Sequence, residues 1–309
     1  MFKYILRRIL LLIPVLLGVL LIVFTLLYFT PGDPAEVMLG NMGSPEALAE
    51  LRSQMGLDKS YIERFFNYVL GVLRGDLGVS YTTKQPVTKM LMDAFPHTFK
   101  VSIAATIISV VLGLLFGVVS AIKQYSWIDN LSMTLALLGI SLPSFWLGML
   151  LILVFSVYLG WLPSSGLTSL LHVILPAATI GTRSAASIAR TARSSMLEVI
   201  RQDYIVTARS KGQKELLVIM KHALQNALIP MITVVGLNFG EMLGGAIVVE
   251  SIFSIPGIGS LTVNALKARN YSVVLGGVLY VALVYSIINL IVDLLYTYAD
   301  PRLKSKIKA

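Results

Sequence analysis

The sequence predicts an all-α, polytopic membrane protein with six transmembrane helices, a periplasmic segment after helix 1 and a polar cytoplasmic loop between helices 4 and 5. Three observations carry that reading. Apolar residues make up 56% of the 309-residue chain and charged residues only 13%, with a mean hydropathy of +0.80, whereas a soluble domain averages about 25% charged residues. Uninterrupted apolar runs of about 20 residues, the length that spans a bilayer, recur along the chain. The excess of lysine and arginine over acid falls mostly in the alternate intervals that the positive-inside rule assigns to the cytoplasm. That placement accounts for the formal charge of +9 without invoking nucleic acid. There is no cysteine, which excludes disulfides, thiolate metal sites and a cysteine nucleophile.

In chain order, residues 1–29 form a basic amino end (Lys3, Arg7, Arg8) and a first span from Ile9 to Phe29. No small-residue cleavage site follows, so this helix is expected to stay attached, with its amino end in the cytoplasm. Residues 30–96 form an extracytoplasmic segment, too polar to cross a bilayer. Within it, Ser44-Pro45-Glu46 has the order of a helix start, a serine cap followed by proline in the first turn. Tyr61 to Leu73 carries helical apolar spacing.

Residues 97–309 hold the remaining spans. The second runs from Thr98 to Ile122, and its Gly113 and Gly117 fit a small-xxx-small contact as well as the ordinary abundance of glycine in spanning helices. Lys123 to Asp129 is a cytoplasmic turn. The third span, Leu131 to Leu159, is interrupted by Ser141-Leu142-Pro143-Ser144; Pro143 either lines a pathway or makes a packing kink. An outer loop carries the interfacial Trp161. The fourth span runs from Leu170 to about Ala189, with Arg183 either inside the membrane, where a cation usually has a role, or close enough to the interface to snorkel. The fifth, Ala227 to about Val249, contains Asn238 and Glu241, which either face a water-filled pathway or bond a neighbouring helix. Ser254-Ile255-Pro256-Gly257-Ile258-Gly259 must then break any helix, as a hairpin dipping into a pathway mouth or as a plain surface turn. The sixth, Val273 to about Tyr298, leads to a tail with Lys304, Lys306 and Lys308, which puts the carboxyl end in the cytoplasm as well.

The polar interval between the fourth and fifth spans is the most informative. Arg201, Arg209, Lys211, Lys214 and Lys221 face only Glu198, Asp203 and Glu215 there. Val199, Tyr204, Ile205 and Ala208 make one short helical stripe, and Leu216 to Ile219 with Leu224 and Leu228 make another. Gly212 sits between them, where a helix end needs positive φ. The result is a helix–turn–helix knob with apolar residues that no lipid covers, which calls for a protein partner.

The run Asp203-Tyr204-Ile205-Val206-Thr207-Ala208-Arg209-Ser210-Lys211-Gly212, followed by His222-Ala223-Leu224-x-Asn226-Ala227-Leu228-Ile229-Pro230, resembles the coupling loop of membrane (permease) subunits of bacterial ABC importers of the dipeptide/oligopeptide/nickel type. Where the general importer pattern has Glu-Ala-Ala, this chain has Val206-Thr207-Ala208, and its proline is displaced to Pro230; the peptide-type subgroup tolerates both departures. Met55-Gly56-Leu57-Asp58, Arg74-Gly75-Asp76-Leu77-Gly78-x-Ser80 and Glu250 to Gly259 are similar to outer segments of the same subgroup.

The resemblance implies a permease core (97–309) with a coupling loop at 195–226, half of a translocation pathway for peptides, in the bacterial inner membrane. It implies a second homologous permease, two cytoplasmic ATPase subunits carrying ATP and Mg, and an extracytoplasmic solute-binding protein. Asp203, Tyr204, Ala208, Arg209 and Gly212 would couple to the ATPase. Pro143, Asn238 and Glu241 would line the pathway, and Trp161, Pro256 and Gly257 would gate the outer mouth or meet the binding protein. Nickel chelates, glutathione and opines are alternative cargoes. An ion-coupled secondary carrier is the alternative class; Glu241 and Asp293 are its carboxylate candidates, and no internal repeat supports it.

No cofactor or catalytic chemistry is expected on this chain. It lacks a G-x-x-x-x-G-K-[ST] run for nucleotide. His97, His172 and His222 stand far apart and outside metal-ligand spacing. No G-x-S-x-G elbow is present.

Overall fold

The computed structural model describes residues 2–39 and 44–299; of these, the side chains of residues 2–4, 229, 245 and 296–299 fall outside the description. The lysine tail therefore lies outside the described residues. All named elements among the described residues are helical, with one isolated β-bridge between Val79 and Pro86.

The long helices are α1 (Phe2–Phe29), α5 (Val87–Ile122), α8 (Leu171–Ile200), α11 (Leu224–Gly245) and α14 (Tyr271–Ala299). Between α1 and α5 lie α2 (Pro34–Leu39), α3 (Pro45–Gln54) and α4 (Tyr61–Leu73), the last two at the positions the sequence predicts. Ser44 and Ser60 cap them, their hydroxyls accepting from Ala47 N and Glu63 N. Three helical segments are long and apolar enough to cross a bilayer, Ile5–Phe29, Val87–Ile122 and Tyr271–Leu295. Two bent pairs raise the number of candidate spans among the described residues to five.

α5 begins well before the expected second span. Val87, Leu91 and Ala94 recur at helical spacing and are buried in one core with Leu20, Phe24 and Leu27 of α1 and the start of α14. Packing thus keeps the chain helical through a stretch whose polar residues read as extramembranous. α8 likewise continues past Ala189, burying Ala185, Ala189 and Ala192 while Arg183 and Arg190 stay exposed on another face.

α5 and α8 meet almost backbone to backbone. A Cβ at Gly113 would lie 2.6 Å from the Ile188 Cβ, and one at Gly117 would lie 2.5 Å from that of Ala192. The fit is reciprocal: a Cβ at Gly181 would stand 2.6 Å from the Ala105 carbonyl oxygen. These glycines therefore serve helix contact, as small-xxx-small spacing permits.

The Pro143 interruption is a full break. α6 (Trp127–Ser141) and α7 (Ser144–Leu151), which runs on as a π-helical turn over Ile152–Tyr158, are bent by 105°. Leu142 is extended (ψ 130°) and Pro143 starts a new helix. Gly139 abuts the Thr182 carbonyl on α8, so α6 stays fixed up to the break.

Candidate functional site

The polar interval after α8 folds as a compact knob. It comprises α9 (Asp203–Ser210), a turn at Gly212, α10 (Glu215–Leu217) and a π-helical turn over Val218–Ala223 that runs into α11. Gly212 has φ +72°, and its N–H donates to the Arg209 carbonyl at 2.9 Å. Arg209 forks onto Glu215 at 2.7 and 3.1 Å, and His222 bonds Gln213 at 2.8 Å, so the two arms are tied across the turn. Ile205, Ala208, Val218, Ile219 and Ala223 form one core with Ala121 of α5 and Ala192 and Met196 of α8. Burying Ile205 and Val218 fully contributes about 1.5–3 kcal/mol each. Ala208 therefore packs inside the knob. The outward apolar residues are Tyr204 (44% exposed), Val206, Leu216 (73%), Leu217 and Met220. Asp203 lies in the first turn of α9, whose N-cap residue Gln202 makes no side-chain cap bond.

A clamp fixes the knob end of the bundle. Arg193 donates two bonds to Asp129, Nε to Oδ1 at 3.0 Å and an Nη to Oδ2 at 2.8 Å. The Ser120 hydroxyl and the Tyr125 N–H also donate to Asp129, which is buried. Asp129→Asn should lower stability by about 3 kcal/mol by leaving a half-buried guanidinium uncompensated, read as a lower melting temperature at pH 7 in detergent.

The far end is organised by a carboxylate that the sequence reading passed over. Thr98 and Ala121 bound a stretch of α5 about 35 Å long at 1.5 Å per residue. Beside Thr98 sit α12 (Ile247–Ile252), the Pro256-Gly257 turn and α13 (Ile258–Lys267). Glu250 is 0% exposed. Its Oε1 accepts from the Thr98 hydroxyl at 2.6 Å and its Oε2 from Ser260 N at 2.9 Å, while Thr98 in turn accepts from Ile258 N at 2.9 Å. Two otherwise orphaned N–H groups of α13 are thus satisfied from α5 and α12. Cβ atoms at Gly257 and Gly259 would fall 2.3 and 2.9 Å from this carboxylate, which explains the glycines on chemistry. Glu250 lies beyond the candidate spans, and burial pushes its carboxyl above the ordinary value despite these bonds. The available signal was an acid shortly before a Pro-Gly break, followed by a helix start lacking its own cap residue.

The predicted outer residues share this region. Gly166 N donates to Phe253 O at 2.8 Å, joining the Trp161 loop to the hairpin. Trp161 and Pro256 are exposed and Gly257 is buried. The predicted pathway residues are not drawn together into a cavity. A cavity of about 570 Å³ between α5, α11 and α14 has an apolar lining that includes Ile107, Met231, Val235, Phe239 and Ile288 but none of Pro143, Asn238 and Glu241. Glu241 and Pro143 are exposed. Asn238 Nδ2 and Asn289 Oδ1 are buried without a hydrogen-bond partner among the described residues.

The described residues form an apolar helical bundle with a tied, outward-greasy knob at one end and a latched hairpin at the other, and no group of three His, Asp or Glu side chains that could hold a metal lies among them. Over residues 113–305 the chain matches the family described as binding-protein-dependent transport system inner membrane component, and over residues 1–104 its N-terminal companion. The chain belongs to that family: it is a multi-pass inner-membrane permease subunit of a binding-protein-dependent importer, and its role is transport. It is 43% identical over 98% of its length to the full-length dipeptide transport system permease protein DppB of Alkalihalophilus pseudofirmus. It is also 43% identical over 99% of its length to the full-length glutathione transport system permease protein GsiC of Pectobacterium atrosepticum. In fold it is similar to a chain of the inward-facing MetNI methionine ABC transporter, with a TM-score of 0.56 at 18% identity, covering 68% of this chain and 96% of that one.

Proposed function

We propose that this chain forms half of the translocation pathway of an ATP-driven peptide importer. The observation that carries this reading is the division of labour in the knob. Ile205, Ala208 and Val218 bind it rigidly to α5 and α8, while Tyr204, Val206, Leu216 and Met220 face outward with nothing among the described residues to cover them. A rigid knob with an apolar outer face suits docking into a groove of a separate ATPase subunit. Two such ATPases carry ATP and Mg, and a second, related permease completes the pathway. Six spans place the termini and the knob in the cytoplasm, and α2–α4 with the Glu250 latch on the outer side, where a solute-binding protein delivers cargo.

Asp203 and Arg209 flank the outer face of the knob as polar contacts. Asn238, with its unpartnered amide on α11, Glu241, exposed on the same helix, and Pro143 at the α6–α7 break then face the second permease or the pathway. Trp161, Pro256 and Gly257 belong to the outer gate. The ion-coupled carrier is disfavoured because Asp293, one of its two candidate carboxylates, is ion-paired with Arg8 at 2.9 Å.

Likeness to a dipeptide permease supports a short peptide as cargo, and likeness to a glutathione permease supports the glutathione alternative, over nickel chelates or opines. Identifying the solute that the co-encoded binding protein retains on purification tests this. A di-, tri- or oligopeptide is expected; a nickel chelate would overturn the cargo assignment.

A further inference from the structure

The segment before α5 builds a polar pocket that the importer reading leaves unused. A cavity of about 360 Å³ lies between the end of α1, the end of α3, α4 and the start of α14. Lys59, Arg64, Asn67, Tyr68, Tyr81 and Tyr271 are among its walls, and no carboxylate lines it. Arg64 and Tyr271 also line an adjoining cavity of about 200 Å³, where Arg52 is paired with Asp33 at 3.0 Å. Lys59 is paired with Glu63 at 3.3 Å. Arg64 has no carboxylate within 4 Å among the described residues. Its guanidinium instead stands 6.0 Å over the Phe24 ring and 5.7 Å over that of Tyr28. Stacking of this kind holds the planar group in place and leaves its N–H fork free for an anion.

Tyr68 lies one turn further along the same face of α4. Its hydroxyl is buried and makes no hydrogen bond among the described residues. Buried hydroxyls nearly always have a partner, so an orphan on a pocket wall points to an absent acceptor. Burial, with Tyr81 and Asp76 nearby, drives the Tyr68 phenol well above its ordinary value, so it keeps its proton and can only serve an anion as a donor.

We propose that this pocket binds a carboxylate group, with Arg64 as the charged fork and the Tyr68 hydroxyl as a further donor. The group has two possible sources: the C-terminus of a peptide, or an acidic side chain of the docked solute-binding protein. Naming either source rests on the importer reading; the carboxylate chemistry does not.

The test uses the full chain, assembled with its partner subunits in lipid nanodiscs without ATP, so its failure leaves the transport assignment untouched. One arm measures binding of dansyl-Ala-Ala as free acid and as C-terminal amide. The other measures docking of the peptide-free solute-binding protein. Tyr68→Phe removes only an unsatisfied hydroxyl, so it should leave the melting temperature unchanged or raised. It should still weaken the responding arm about tenfold, the range of a hydrogen bond to a charged group, and Arg64→Gln should weaken it further. A response confined to the free-acid peptide assigns the carboxylate to cargo, and a response in docking assigns it to the binding protein. If neither arm weakens in both variants, or acid and amide bind alike while docking is unaffected, the proposal is overturned.

Discussion

An aspartate at Leu216 is expected to abolish ATP-driven uptake while the chain still inserts and assembles with its sister permease. Leu216 is 73% exposed and takes no part in the knob's core, so the substitution leaves the fold alone. In a docked groove the new charge would be buried unpaired, at a cost of about 2–5 kcal/mol, enough to weaken the grip at least tenfold. Tyr204→Asp should act alike. Gly212→Val tests the turn itself. A Cβ at Gly212 would meet open space, but φ is +72°, and the left-handed conformation costs an L-residue about 1–2 kcal/mol. The strain would rotate α9 against α10, and uptake should fall about tenfold. Uptake of labelled peptide into proteoliposomes, with retention of the ATPase on the purified chain, checks all three. A charge at Ala208 would be a poorer probe, because that side chain is inside the knob and the change would unfold it.

Glu250→Ala is expected to free the α12–α13 hairpin. It strips the acceptor from the Thr98 hydroxyl and from Ser260 N, each about 1–3 kcal/mol when left buried and unsatisfied. A cysteine introduced at Thr262 should then react about tenfold faster with an impermeant thiol reagent. Thr98→Val should act in the same direction and less strongly. The latch also has a pH signature. Because burial raises the Glu250 carboxyl, its contribution is fully present below the unfolded value and is lost as pH rises through the folded value. Raising pH above the ordinary carboxylate range should therefore loosen the wild-type hairpin, and Glu250→Gln should flatten that dependence. Equal thiol reactivity in Glu250→Ala and wild type would contradict the latch.

Much of the membrane plan was legible because its signals are local. Apolar runs mark α1, α5 and α14, serine caps mark α3 and α4, and Gly212 marks the knob turn. The helices that run on past the expected spans do so for one reason. Val87 to Ala94 and the arginines of α8 sit on helices whose extent is set by packing against distant segments, which periodicity within one segment does not reveal. The same limit hid Glu250 and Asp129. Each reads as a lone acid beside a turn, and only the fold brings Thr98 or Arg193 to it, 152 and 64 residues away. The Pro143 break was visible, but its angle was not, since proline fixes only its own φ.

The central claim is that the knob's outward face is gripped by a separate ATPase subunit inside the cell. The chain has no native cysteine, so a single Leu216→Cys substitution reports on one point of that face. The account predicts that this thiol is shielded from an impermeant reagent in the assembled complex, and is labelled from the cytoplasmic side alone once the ATPase is stripped away. Equal labelling with and without the ATPase, or labelling from outside the cell, would contradict it.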